Sequence, residues 1–167
     1  MTSTGGHNAS QTIEIRVRYA EVDAMGVLHH SRYWVYFEMG RTELLRSMGV
    51  AYRDLEASGI LFVVARLSVR YHRSARYDDV LRLHVSMAQS HGVKVEHEYQ
   101  MFRGEELLAT GATTIVCLDR QGKLRPVPPE LTITASTRSV SVSAPPSRSS
   151  TPPPPPSIVS SPLSPEI

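Results

Sequence analysis

The sequence is short of several features that would each open a class of function. Its 167 residues hold one cysteine, Cys117. No internal disulfide is available, and the apolar strand setting "TTIVCLD" makes that thiol a packing residue rather than a nucleophile. Lysine is nearly absent: two of the 18 basic side chains are lysine, and all are interleaved with 16 acids to a net charge of +2. No basic stripe exists, so no nucleic-acid partner is expected. No apolar run approaches the ~18 residues of a membrane span, and no basic segment followed by an apolar one opens the chain. Neither a transmembrane helix nor a signal peptide is therefore expected, and the cytoplasm is the default location. Dinucleotide-binding, P-loop and Gly-x-Ser-x-Gly patterns are missing, which argues against a dinucleotide enzyme, an NTPase or a serine hydrolase.

Proline is withheld from the first 125 residues, and all 12 prolines lie at or after Pro126. That placement divides the chain. Residues 133–167 are rich in Ser, Pro and Thr and cannot bury enough surface to offset their ordering entropy, so they are expected to form a disordered tail, partly polyproline. The polyproline run either docks in an aromatic groove of a partner or is simply solvated. Residues 1–11 are expected to be a flexible N-terminus. One domain, residues 12–132, remains.

Within it, "TIEIRVRYAE" (12–21) alternates apolar and polar residues and predicts a strand with one buried face. Ser31 is a plausible N-cap for the helical run "RYWVYFEMGRTELLRSM", and Gly49 a C′ stop. Tyr33, Phe37, Gly40, Leu44 and Met48 fall at helical spacing, with Trp34, Arg41 and Leu45 alongside. This predicts a helix ~26 Å long that is largely wrapped by other elements. A short helix or turn at "AYRDLEASG" precedes four strands: "ILFVVARLSVRYH", "DVLRLHVSMAQS", "VKVEHEYQMF" and "ELLATGATTIVCLD". Turns at Ser90–Gly92 and Arg103–Glu105 make the last three an antiparallel meander. The expected fold class is α+β, a curled antiparallel sheet of about five strands wrapped around one long helix.

Between the first strand and the helix stands "RVRYAEVDAMGVLHHSRYWVYFEMGRTELL". Its pattern of Asp23, Gly26, Val27, His30, Tyr33, Glu38 and Arg41, supported downstream by "VRYHRSARYDDVLRL", resembles the hotdog-fold acyl-CoA thioesterases of the 4-hydroxybenzoyl-CoA thioesterase-like family. The resemblance spans residues 12 to 130. Ser74 stands where a proline is common in that family, and His29 where an aromatic residue is common.

The resemblance implies hydrolysis of acyl-CoA or acyl carrier protein thioesters, with no cofactor and no metal. Asp23, Gly26 and Val27 would precede the helix, with His30 at its mouth. A helix N-terminus presents unpaired N–H groups, so the backbone N–H near His30 would polarise the thioester oxygen. Asp23, seven residues upstream, would either attack the carbonyl or act as general base on water. Read without the resemblance, Asp23 is an ordinary loop or capping aspartate. His30 takes part through its side chain or only through its backbone. Glu38 is the reserve base, or else an ion-pair partner of Arg41 at i+3. Gly26, Val27, His29 and Tyr33 would shape the acyl pocket, together with Met25 and Phe37, while Tyr33 and Trp34 also read as core. Adjacent histidines diverge, so metal ligation by His29 and His30 is not expected. Arg73 and Arg76, with Arg70 nearby, would meet coenzyme A phosphates or form a solvated turn.

A single curled sheet leaves an open edge, so a homodimer, or a homotetramer built from two dimers, is expected. The segment "LFVVARLS" and the helix of the neighbouring chain would complete the pocket. Two other functions stay open: a hotdog dehydratase or hydratase, and a non-catalytic hotdog protein that binds acyl thioesters or partners.

Overall fold

The computed structural model describes residues 9–133; the expected proline-rich tail, from residue 134 on, and residues 1–8 lie outside the described residues. Five strands form one antiparallel sheet: β1 (Ser10–Arg16), β2 (Leu61–Tyr71), β3 (Val80–His91), β4 (Lys94–Arg103) and β5 (Glu106–Leu118), in the order β1-β3-β4-β5-β2. The meander of β3, β4 and β5 is as expected. Two helices, α1 (His30–Ser47) and α2 (Tyr52–Ala57), intervene between β1 and β2.

The inner face of the sheet follows the period-two pattern. Leu81, Leu83, Val85 and Met87 on β3 and Val95, His97, Tyr99 and Met101 on β4 are all buried. Tyr33, Tyr36, Phe37, Leu44 and Leu45 of α1 press into this face. The approach is close enough to demand glycine on the sheet: a Cβ on Gly111 would meet Phe37 Cζ at 2.8 Å and the Ser68 carbonyl oxygen at 3.0 Å. Phe37 in turn stacks on Tyr99, with ring centroids 4.4 Å apart. Cys117 is buried in β5, and burial pushes its thiol pKa up, away from the reactive thiolate.

Four expectations need correction. β1 begins at Ser10, inside the segment expected to be flexible, because Ser10 and Gln11 pair with Ser86 and Val85. It also ends at Arg16 rather than at Glu21, giving way to a 3-10 turn at Tyr19–Glu21. The cause is Glu21, whose carboxylate takes the Arg18 backbone N–H at 2.9 Å and turns the chain. The N-cap of α1 is His29, not Ser31: the His29 Nδ1 accepts the Ser31 N–H at 3.3 Å and pairs with the Ser31 hydroxyl at 2.8 Å. Finally, α1 is covered on one side only, for Trp34, Val35 and Met39 are exposed within the chain. The C-terminus is as expected. Gly49 has φ +80°, its N–H reaches the Arg46 carbonyl, and the Val50 N–H reaches that of Leu45, each at 3.0 Å.

Candidate active site

The loop between the 3-10 turn and α1 is fixed at both ends by one buried acid. Glu21 accepts the Tyr36 hydroxyl at 2.6 Å and the Arg18 guanidinium at 2.7 Å, and its carbonyl takes the His29 N–H at 2.9 Å. Burial pulls the Glu21 pKa up, but the bonds from Arg18 and Tyr36 outweigh it and hold the carboxyl at about 2. The Tyr36 hydroxyl is raised in turn, by burial first and then by its bond to Glu21. Glu21 escaped the sequence reading because an acid in an alternating segment reads as a solvent-facing residue. Its place three residues after Arg18, a base with an acid at i+3, is the signal the sequence carries.

Inside this frame the loop folds back on itself. The Asp23 N–H donates to the Val27 carbonyl and the Gly26 N–H to the Asp23 carbonyl, both at 2.9 Å. Gly26 sits at φ +73°, a conformation that side-chain-bearing residues rarely adopt. Single bridges tie Val27 to Arg76 and Val22 to Leu28, and the Leu28 N–H reaches the Ala75 carbonyl at 2.8 Å. The turn after β2 thereby becomes the opposite wall.

Asp23 is half-buried, and its Oδ1 accepts the Met25 N–H at 2.8 Å and the Val27 N–H at 3.4 Å. Its Oδ2 has no partner among the described residues. The carboxylate opens onto a groove of about 330 Å³ lined by Met25, Val27, Leu28, His30, Tyr33, Tyr71, His72, Arg73 and Ser74. His30 opens α1, so its N–H has no acceptor within the helix. Tyr71 donates its hydroxyl to the His30 carbonyl at 3.1 Å and sets its ring edge-on to Tyr33.

The structure therefore brings together Asp23, Val27, His30, Tyr33 and Arg73, with Gly26 shaping the loop behind them. His29 does not line the groove; it caps α1, and its ring lies tilted against that of His30, with centroids 4.1 Å apart. Arg76 lies behind the loop, its guanidinium 3.9 Å from where a Cβ on Gly26 would stand. Arg70 lies on β2 and is exposed. Glu38 is not at this groove. It pairs with Arg41 at 3.0 Å beside a second groove of about 330 Å³, lined by Trp34, Val35, Phe37, Val64, Leu67 and Thr113. Leu28, Tyr71, His72 and Ser74 were not singled out as site residues, because only the pairing of the loop with the β2–β3 turn delivers them. Among the described residues no group of three or more His, Cys, Asp or Glu side chains is placed to hold a metal ion.

One long helix laid against a curled antiparallel sheet of five strands is the hotdog architecture. The Thioesterase-like superfamily matches residues 17–135, and the chain belongs to that family. Acyl-CoA thioesterase YbgC of Haemophilus influenzae is 33% identical over 114 residues, 68% of this chain and 83% of the relative. Among solved structures, the DHNA-CoA thioesterase of Staphylococcus aureus superposes with a TM-score of 0.67 at 31% identity, covering 71% of this chain and 79% of that one. The Thermus thermophilus protein TT1821 gives 0.67 at 34% identity, covering 70% and 90%.

Proposed function

We propose that this protein hydrolyses acyl-CoA thioesters to the free acid and thiol, with Asp23 as the reacting carboxylate. The observation that carries the reading is the shared groove: Asp23 and the first turn of α1 face one space. The Asp23 Oδ1 is held by two backbone N–H groups, which keeps the carboxylate fixed and leaves Oδ2 for chemistry. A thioester lying there with its carbonyl oxygen toward the His30 N–H develops negative charge where the helix offers an unpaired donor and its positive end. Either Asp23 attacks the carbonyl carbon, thiolate leaves and water opens the resulting anhydride, or Asp23 takes a proton from a water that attacks directly. In the direct route the acyl group gains the water oxygen; in the anhydride route water adds at the Asp23 carboxyl carbon, so its oxygen stays in Asp23 and the acid departs with an Asp23 oxygen; in both the thiol leaves with a proton. Single turnover in heavy-oxygen water separates them, since only the anhydride route leaves label in Asp23.

A homodimer fits this reading. β1 and β2 are the two edges of the sheet, and on β2 Val63 and Val64 are exposed beside the uncovered side of α1. Pairing two β2 edges covers both and turns the open groove beside Glu38 into a closed channel. Relatives named for coenzyme A favour that carrier, so acyl-CoA is the substrate form to test first.

The test is thiol release from short, long and aromatic acyl-CoAs by the wild type, Asp23→Asn and Glu38→Gln. Asp23→Asn is expected to lose ~10²-fold or more, the size typical of removing an acid–base or nucleophilic group, and Glu38→Gln to keep most of its rate. Retained acyl-CoA binding without turnover in the wild type would favour a binding module instead.

A further inference from the structure

Between the second half of α1, α2 and the inner face of the sheet lies a small, partly open space of about 10 Å³, room for one oxygen-sized group. Leu45, Phe62, Met87 and Ile115 make its walls apolar; Arg41, Tyr52 and His97 do not. His97 is 4% exposed, and neither of its ring nitrogens has a hydrogen-bond partner. Buried polar atoms are almost always paired, and an orphan imidazole at the wall of a small space points to a group that arrives there.

Arg41 belongs to both sides. It also lines the open groove beside Trp34, Phe37 and Val64. Its side chain is 10% exposed, and its one carboxylate partner, Glu38, is 67% exposed and held through Nη2 alone. The neighbouring hydroxyls are already committed, Tyr52 to the Phe62 carbonyl at 3.4 Å and Thr113 to Tyr99 at 2.9 Å. What is left is a buried guanidinium whose one carboxylate partner is exposed, and an imidazole without a partner, with no carboxylate lining the small space between them. Such a setting rejects a cation, gains little from a methyl group and suits an oxygen anion.

We propose that Arg41 and His97 form a carboxylate-binding site at the inner end of the groove beside Glu38, selecting acyl groups that end in a carboxylate. The guanidinium donates to the carboxylate, one oxygen reaches the His97 N–H, and Glu38 turns to solvent, where an exposed ion pair is worth little. Arg41 stands eleven residues after His30 on α1, ~16 Å along the helix, so a long chain with its thioester at Asp23 spans the interval. That the ligand is an acyl thioester rests on the function proposed above; the carboxylate site itself does not.

The test has two arms. In the first, octanoate and its neutral isostere octanamide are titrated into the full chain while the His97 imidazole is followed by isotope-edited NMR. Octanoate is expected to bind about 10-fold tighter or more, the scale of a charge-assisted hydrogen bond, and to move the His97 signals. That preference should vanish in Arg41→Met and shrink in His97→Phe, which decides the matter if Arg41→Met does not fold. Equal binding of the two probes, or a preference unchanged in His97→Phe, overturns the proposal. In the second arm, kcat/KM is compared for hexadecanedioyl-CoA and palmitoyl-CoA, the former expected to win in the wild type and not in Arg41→Met. If neither thioester turns over while octanoate still discriminates, the thioesterase function falls and the carboxylate site stands.

Discussion

Protonation of His97 is the sharpest handle on the stability of this fold. Burial, aided by the positive charge of Arg41, pushes the His97 pKa from the ordinary 6.5 down to about 4. The unfolded chain therefore binds a proton more readily than the folded one once pH drops below the ordinary value. The stability that this neutral imidazole permits is present above about pH 6.5 and is lost as pH falls through that window toward the folded pKa. A difference of about 2.5 units at 1.36 kcal/mol each gives about 3 kcal/mol in total, of which about 2 kcal/mol is gone by about pH 5. The perturbation is His97→Phe, which keeps a ring of similar size against Tyr99 and removes the titrating group. Urea unfolding of both proteins at one fixed concentration, at several pH values between neutral and about 4.5, isolates His97, because every other titrating group is common to the two. The stability gap between variant and wild type should move in favour of the variant by about 2 kcal/mol across that range. Parallel loss in the two proteins, or an NMR titration that places His97 near its ordinary pKa, would refute the reasoning.

Three further outcomes follow from the packing. Gly111→Ala should destabilise by ~1–3 kcal/mol in urea unfolding, since the new methyl meets Phe37 and the Ser68 carbonyl oxygen with no flexible neighbour to yield. Glu21→Gln should cost about 1–2 kcal/mol at neutral pH, discounted because Arg18 lies in solvent. Because the folded Glu21 pKa is depressed to about 2, its contribution is present above the ordinary carboxylate pKa and lost as pH falls toward the folded value; the variant should lack that acid limb. Val64→Arg should shift light-scattering mass toward the monomer if β2 edges pair, and should leave the mass unchanged if they do not.

Much of the fold was legible because it rests on short-range periodicity. Strands β3, β4 and β5 alternate so regularly that their inner face can be read residue by residue, and Gly49 marks the helix end by a backbone angle that glycine tolerates. Alternation alone makes β1 too long, because it runs on through Val17 and Tyr19 while the Glu21 carboxylate takes the backbone away. The capping role of His29 is not legible in the sequence, because it depends on a local bond to Ser31 that spacing does not reveal. The loop from Asp23 to His30 was found as a motif, yet its partners Tyr71, His72 and Ser74 were not, since they arrive from some 40 residues away along the chain.

By itself, then, the sequence determined the order of elements, the buried faces and the identity of the acid placed before the helix, because each depends on neighbours within a turn or two of chain. Only the tertiary structure decided that Asp23 and the helix mouth share one groove while Glu38 faces another, and that Arg41 and an unpaired His97 meet across the core. Those are meetings of side chains from distant segments, and they are set by how the helix lies in the sheet.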